Sequence, residues 1–151
     1  MLIEILCTGD EILTGKTVNT NYSHMARRFG EVGLTMHWST VVGDDRSCLA
    51  TAFQQASQRA DAVIVNGGLG PTVDDLSQEV AAEAAGVGLI LDENWLSRMV
   101  DFYERRGRTM PPNNKKQAML PEGAEFIDNP IGTACGFAIN IGNARFFFTP
   151  G

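Results

Sequence analysis

The chain is short of several things, and each shortage closes off a class of function. It has three cysteines in 151 residues, Cys7, Cys48 and Cys135. They are dispersed, with no C-x-x-C pair, so a disulfide framework is excluded and a reducing compartment is expected. It has two histidines, His24 and His37. Neither has a partner at metal-ligand spacing, which argues against a zinc site. Basic residues are outnumbered: 12 Lys and Arg against 18 Asp and Glu leave a net charge of -6. A surface that coats nucleic acid is basic, so no nucleic-acid partner is expected. A small anionic ligand stays open, because local charge can oppose net charge. No apolar run approaches the length of a membrane span. "MLIEILCTGDE" lacks a basic leader and reads as a first strand, not a signal peptide. A cytoplasmic protein without a membrane partner is expected.

Familiar catalytic motifs are missing too. Gly9 and Gly15 frame "GDEILTGKT" with one residue too many for a Walker A loop, and Asp10 and Glu11 would point charge into its phosphate cradle. "GGLGPT" lacks the third glycine of the dinucleotide fingerprint and follows a third strand, not the first. There is no G-x-S-x-G elbow. Cys135 lies between small residues in "GTACGF", but no base can be paired with it, so it is not assigned as a nucleophile.

What is present is a regular alternation. "LIEIL" (2–6), "LTMHWSTVV" (34–42), "AVIV" (62–65) and "LIL" (89–91) read as strands. Helical spacing recurs between them: Tyr22, Met25, Ala26 and Phe29; Leu49, Ala52, Phe53 and Ala56; Leu76, Val80, Ala84 and Val87; Trp95, Met99, Phe102 and Tyr103. "AEFI", "ACGFAIN" and "ARFFFT" follow as strands, the last two joined by "IGN" as a hairpin. The pattern predicts one α/β domain over residues 1–151, a three-layer α/β/α sandwich with a mainly parallel sheet and an antiparallel hairpin. An apolar strand that runs straight into Pro150 and Gly151 is the ending expected of a fragment that lacks its carboxyl-terminal end.

In such sheets ligands bind beyond the carboxyl ends of the strands. "TGDEILTGKT", "VGDD" and "NGGLGPTVDD" are expected there, and each carries paired acids. Glycine lets backbone N–H groups come close to a ligand. Acids beside a phosphate loop make sense if a hard divalent cation lies between them. Thr72-Val73-Asp74-Asp75 also fits a capping box with Thr72 opening a helix, so Asp75 is read as a cap, a metal ligand, or both. Asp44 and Asp45 open another helix, and for Asp45 a cap is the preferred role. "RRGRTMPPNNKK" (105–116) holds five of the twelve basic residues. It is either a solvated loop or a clamp for phosphates.

Taken in order, "TGDEILTGKTVNTN", "VGDD", "NGGLGPTVDD", "NKKQAMLPEGA" and "NPIGTACGF" resemble the amino-terminal domain of the CinA (competence/damage-inducible) family. That family has the wider MoaB/MogA-like molybdopterin-binding fold. The resemblance covers essentially the whole chain and implies an α/β/α sandwich. In MogA-like relatives a GGTG loop and a later aspartate serve pterin binding; the pattern maps to Gly67, Gly68, Gly70 and Asp75, with Leu69 in place of threonine. Cys135 stands where many relatives have proline. In CinA-type proteins the domain is associated with metal-dependent cleavage of ADP-ribose to AMP and ribose 5-phosphate. Full CinA proteins often carry a second domain that deamidates nicotinamide mononucleotide, an activity not expected of these residues.

The resulting expectation is a metal-dependent nucleotide pyrophosphatase using Mg²⁺, Mn²⁺ or Co²⁺. Asp74, Asp75, Asp10 and Glu11 are the expected metal ligands, and Asp75 and Asp44 the catalytic carboxylates. Asn66, Gly67, Gly68, Gly70, Thr72 and Lys116 are the expected substrate contacts. The alternative is a module that binds a pterin or nucleotide phosphate without hydrolysis. A homo-oligomer is expected.

Overall fold

The computed structural model describes residues 1–151. Strands β1 (Ile3–Thr8), β2 (Trp38–Val42), β3 (Ala62–Asn66), β6 (Glu125–Ile127), β7 (Gly136–Ile141) and β8 (Ala144–Thr149) form one sheet in the order β2-β1-β3-β8-β7-β6. β2, β1, β3 and β8 run parallel, and β7 and β6 are antiparallel additions. The β7–β8 hairpin turns at Gly142, whose φ of 57° suits glycine.

Central strands must be apolar on both sides, because helices cover both faces. β3 shows this directly. Val63 and Val65 join the large core with Leu49, Phe53, Val80, Trp95 and Phe148, while Ile64 faces the other way with Ile3, Ile5 and Cys7. The first face is covered by α3 (Arg46–Arg59), α4 (Ser77–Ala85) and α5 (Glu93–Glu104), the second by α2 (Thr20–Glu31). The expected three-layer arrangement is therefore the observed one.

Four local expectations need correction. Residues 34–37 stay outside the ladder, because β2 is an edge strand and pairs only from Trp38 onward. "LIL" is not a strand of the main sheet: β4 (Leu89–Leu91) pairs antiparallel with β5 (Met119–Pro121) in a separate ribbon. Asp10 and Glu11 open a one-turn helix, α1 (Asp10–Leu13), although no helical period is legible there. Thr72 does not open the next helix. α4 begins at Ser77, and within it Ala84 is exposed while Ala81 and Ala82 are buried.

Edge strand β2 is tied down by a buried acid. Glu4 is fully buried on β1 and accepts hydrogen bonds from Thr40 at 2.6 Å and from Nε of Arg59 at 2.8 Å. Removing one partner of a buried ion pair leaves an uncompensated charge. Arg59→Met is therefore expected to destabilise by about 2–3 kcal/mol, below the usual cost for fully buried pairs because Arg59 is partly solvated. Chemical denaturation checks this. Glu4→Gln in the same background should recover much of the loss.

Candidate functional site: an acidic cleft at the carboxyl edge of the sheet

The carboxyl ends of β1, β2, β3 and β8 open into one cleft of about 530 Å³. Its walls come from the three segments that carry paired acids. Glu11 follows β1, Asp44 follows β2, and Gly67, Gly68, Gly70, Thr72, Asp74 and Asp75 follow β3. Asn66 ends β3 at the cleft floor. No lysine or arginine lines the cleft.

The glycine loop is anchored at both ends. Leu69 is buried in the main core, which explains why an apolar residue interrupts the glycines. The Gly67 N–H donates to the Thr149 carbonyl at 3.0 Å, and Ser77 donates to the carbonyls of Gly68 and Gly67. Gly67 and Gly68 have φ of 107° and 70°, conformations open to glycine and strained for other residues. The N–H groups of Gly68, Leu69 and Gly70 donate to no protein acceptor and so remain free for an anion. The N–H of Gly67 is already used by β8.

Below this turn, the Thr8 hydroxyl is buried without a hydrogen-bond partner, 2.7 Å from the point a Gly67 Cβ would occupy. Thr8, Asn19 and Asn21 line the neutral side of the cleft. Sequence reasoning passed over all three. Asn19 caps α2 by accepting from the Tyr22 N–H, and Asn21 donates to Asn66 at 2.9 Å. Only their position at the end of β1 and at the start of the next helix could have flagged them.

The acids fall into distinct settings. Asp45 points away and caps α3, accepting from the Cys48 N–H at 2.9 Å. Bonds from Ser47 and Cys48 lower its pKa to about 2. Asp10 and Asp44 bridge their loops reciprocally: the Asp10 N–H donates to Asp44 at 3.2 Å, and the Asp44 N–H donates to Asp10 at 3.1 Å. Burial raises the pKa of Asp44, with the charges of Asp10, Glu11 and Asp75 adding to the shift against the bond from the Asp10 N–H. Asp75 accepts from the N–H of Thr72 at 2.9 Å and from its hydroxyl. This is half of the expected capping box, closed inside a turn five residues before the helix. Lys116 lies outside the cleft lining; it donates to the Thr72 carbonyl at 2.9 Å and so braces the Asp75 turn from behind.

Three glycines make room for three of these carboxylates. A Cβ on Gly9 would lie 2.6 Å from Glu11 Oε1, one on Gly43 2.5 Å from Asp10 Oδ1, and one on Gly70 2.5 Å from Asp75 Oδ2. Gly43 and Gly70 have ordinary φ, so alanine there is opposed by a carboxylate that would have to shift and not by the backbone. Gly70→Ala is expected to destabilise by about 1 kcal/mol, the scale of the Thr72 N–H bond that Asp75 would have to loosen. In an Asp75→Ala background the same change should cost little. A double-mutant cycle by thermal unfolding checks this, and additive costs would show that the seat does not matter.

The burial of Asp44, with the charges beside it, gives a pH prediction. Its folded pKa lies above the ordinary value, so its ionisation opposes folding at neutral pH, and that penalty is relieved as pH falls through the raised pKa. Asp44→Asn keeps an acceptor for the Asp10 N–H and removes the charge. A higher Tm than wild type at neutral pH is expected, with the gap closing on acidification. The effect is opposite in sign to that of Asp45. Its depressed pKa supports stability above the ordinary carboxylate range and loses that support as pH falls toward about 2.

Oxygen donors of this kind suit a hard divalent cation. No three acids stand as a ready-made ligand group. The arrangement fits an ion that takes one or two carboxylates and completes its shell with water and substrate phosphate, as Mg²⁺ commonly does.

The sequence matches, over residues 4–151, the family described as probable molybdopterin binding domain. It is 52% identical over 149 residues to the CinA-like protein of Escherichia coli O9:H4 (strain HS), covering 99% of this chain and 37% of that protein. The chain thus spans little more than a third of that curated relative. The crystal structure of the protein CinA from Thermoplasma acidophilum superposes with a TM-score of 0.86 at 34% identity, covering 99% of this chain and 87% of that one. A molybdopterin biosynthesis protein from Mycobacterium abscessus shares the fold, with a TM-score of 0.64 at 17% identity over 99% of this chain and 80% of that one.

Proposed function

Since the chain belongs to the probable molybdopterin binding domain family, as a CinA amino-terminal domain of the MoaB/MogA-like type, we propose that its cleft hydrolyses the pyrophosphate of ADP-ribose-like nucleotides, giving AMP and ribose 5-phosphate. One observation carries the reading. The glycine loop, with its unpaired N–H groups, and the acids of three separate loops line the same cleft, which has no lysine or arginine.

The N–H groups of Gly68, Leu69 and Gly70 bind diphosphate oxygens, and the helix that follows adds favourable potential. Asp75, with Glu11 or Asp74, would hold a divalent ion, which when bound polarises phosphoryl oxygen and acidifies a water; Asp10, expected as a further ligand, lies outside the cleft lining and fixes the Asp44 loop instead. Asp44, disposed toward protonation by burial and then by its charged neighbours, takes the proton of the water that attacks phosphorus. The bond to the bridging oxygen breaks, and the two phosphomonoesters leave. Lys116 acts indirectly, by holding the Thr72–Asp75 turn in place.

One oxygen of Asp75, Oδ2, is engaged by its own turn, and the acids form no ready ligand group. These features favour the second reading, a module that binds a pterin or nucleotide phosphate without turnover. AMP release from ADP-ribose on addition of Mg²⁺, Mn²⁺ or Co²⁺ separates the two. Saturable binding without release under all three ions would leave only the second.

A further inference from the structure

A second cavity, of about 330 Å³, is lined in part by residues 129–132, close in sequence to Ala134 of the acidic cleft. One wall is α5 with Arg98, Trp95 and Phe102 and, just past its carboxyl end, Arg105 and Arg106; the other is the segment 129–132. Its electrostatics are the reverse of the cleft's. Three guanidinium groups stand against Asp101, and Arg98 is also paired with Asp128 at 2.7 Å. Arg105 makes no side-chain hydrogen bond or ion pair within the protein. In a chain of net charge -6, this cavity concentrates positive charge that the cleft lacks altogether.

The arginines are also partly pre-ordered. Arg98 stacks over Trp95 at 4.6 Å and Arg106 over Phe102 at 3.6 Å. A stacked guanidinium keeps N–H donors at its edge and has little rotamer freedom left to lose on binding a phosphate. Simple stabilisation of the α5 C-terminus would need basic side chains there, but no concave wall opposite them. The volume falls in the range of small-molecule sites. We propose that this cavity is an anion site for small phosphomonoesters, held by Arg105 and Arg106 with Arg98 at the rim, and that it works without a divalent metal.

The site is coupled to the cleft by covalent structure. The Trp95 indole N–H on the cavity floor donates to the Thr133 carbonyl at 3.0 Å, and Ala134, the next residue, lines the cleft. The proposal does not depend on hydrolysis in the cleft, so its test uses metal-free protein. In a Trp38→Phe background Trp95 is the only tryptophan, and its emission reports the cavity. Titration with AMP, ribose 5-phosphate and inorganic phosphate, with chelator present, is expected to give saturable changes and mutual competition. Replacing both exposed residues, Arg105→Gln with Arg106→Gln, should weaken AMP binding at least about tenfold with Tm retained, as expected for lost charge-assisted bonds. Absence of saturation would overturn the proposal. So would saturable binding that the arginine changes spare, because the anion would then sit outside this cavity.

Discussion

Asp75→Asn is expected to lower metal-dependent AMP release from ADP-ribose by about 10²- to 10⁴-fold, the range for loss of a catalytic carboxylate. The substitution is nearly isosteric. Its amide oxygen can still accept from the Thr72 N–H, the 2.9 Å bond that closes the turn. The turn is also held by Lys116 on the Thr72 carbonyl and by Leu69 in the core. The fold should survive, and what changes is the negative charge that faces the cleft beside Asp44. Circular dichroism and Tm provide the control, and rate against metal concentration provides the readout. If wild type is no faster than Asp75→Asn with Mg²⁺, Mn²⁺ and Co²⁺, the hydrolytic reading is wrong.

The largest expected effect on stability comes from Phe148→Ala, about 3–5 kcal/mol. Phe148 is fully buried on β8. It stacks on Phe137 at 4.4 Å and meets Phe53 edge-on at 5.5 Å, so one ring joins β7, β8 and α3. Truncation removes a large apolar surface and leaves a cavity that three elements must relax to fill. A fall in Tm of about 10 °C is expected for a domain of this size. The loss also reaches the site. The next residue, Thr149, accepts from the Gly67 N–H at 3.0 Å and from Asn66 at 3.1 Å, so looser packing of β8 loosens the glycine loop. A Tm within about 2 °C of wild type would contradict this account of the core.

Much of the fold was legible because the period of apolar residues is local information. Leu49, Ala52, Phe53 and Ala56 announced α3, all of them are buried, and Asp45 announced its cap. "AVIV" announced a strand covered on both faces, and β3 is that strand. What failed was choice of partner. An apolar triplet such as Leu89–Leu91 says strand but not which sheet, and it pairs with Met119–Pro121, far along the chain. The start of α4 failed for a related reason. Thr72 and Asp75 do form the side-chain bond of a capping box, but Ser77 is drawn to the carbonyls of Gly67 and Gly68, so the helix starts there.

The same division runs through the site. The sequence by itself determined that glycines and paired acids would follow strand ends, because a parallel sheet collects those ends at one edge. Only the tertiary structure decided what each acid does there. It joined Asp10 to Asp44 across 34 residues of chain, turned Asp45 away to its helix, and seated Asp75 in the space left by Gly70. It divided the basic segment as well, sending Lys116 to brace a turn and Arg105 and Arg106 to a separate cavity. The physical reason is that charge and residue type are properties of the chain. The neighbours that set a carboxylate's hydrogen bonds and proton affinity are brought together only when the sheet closes.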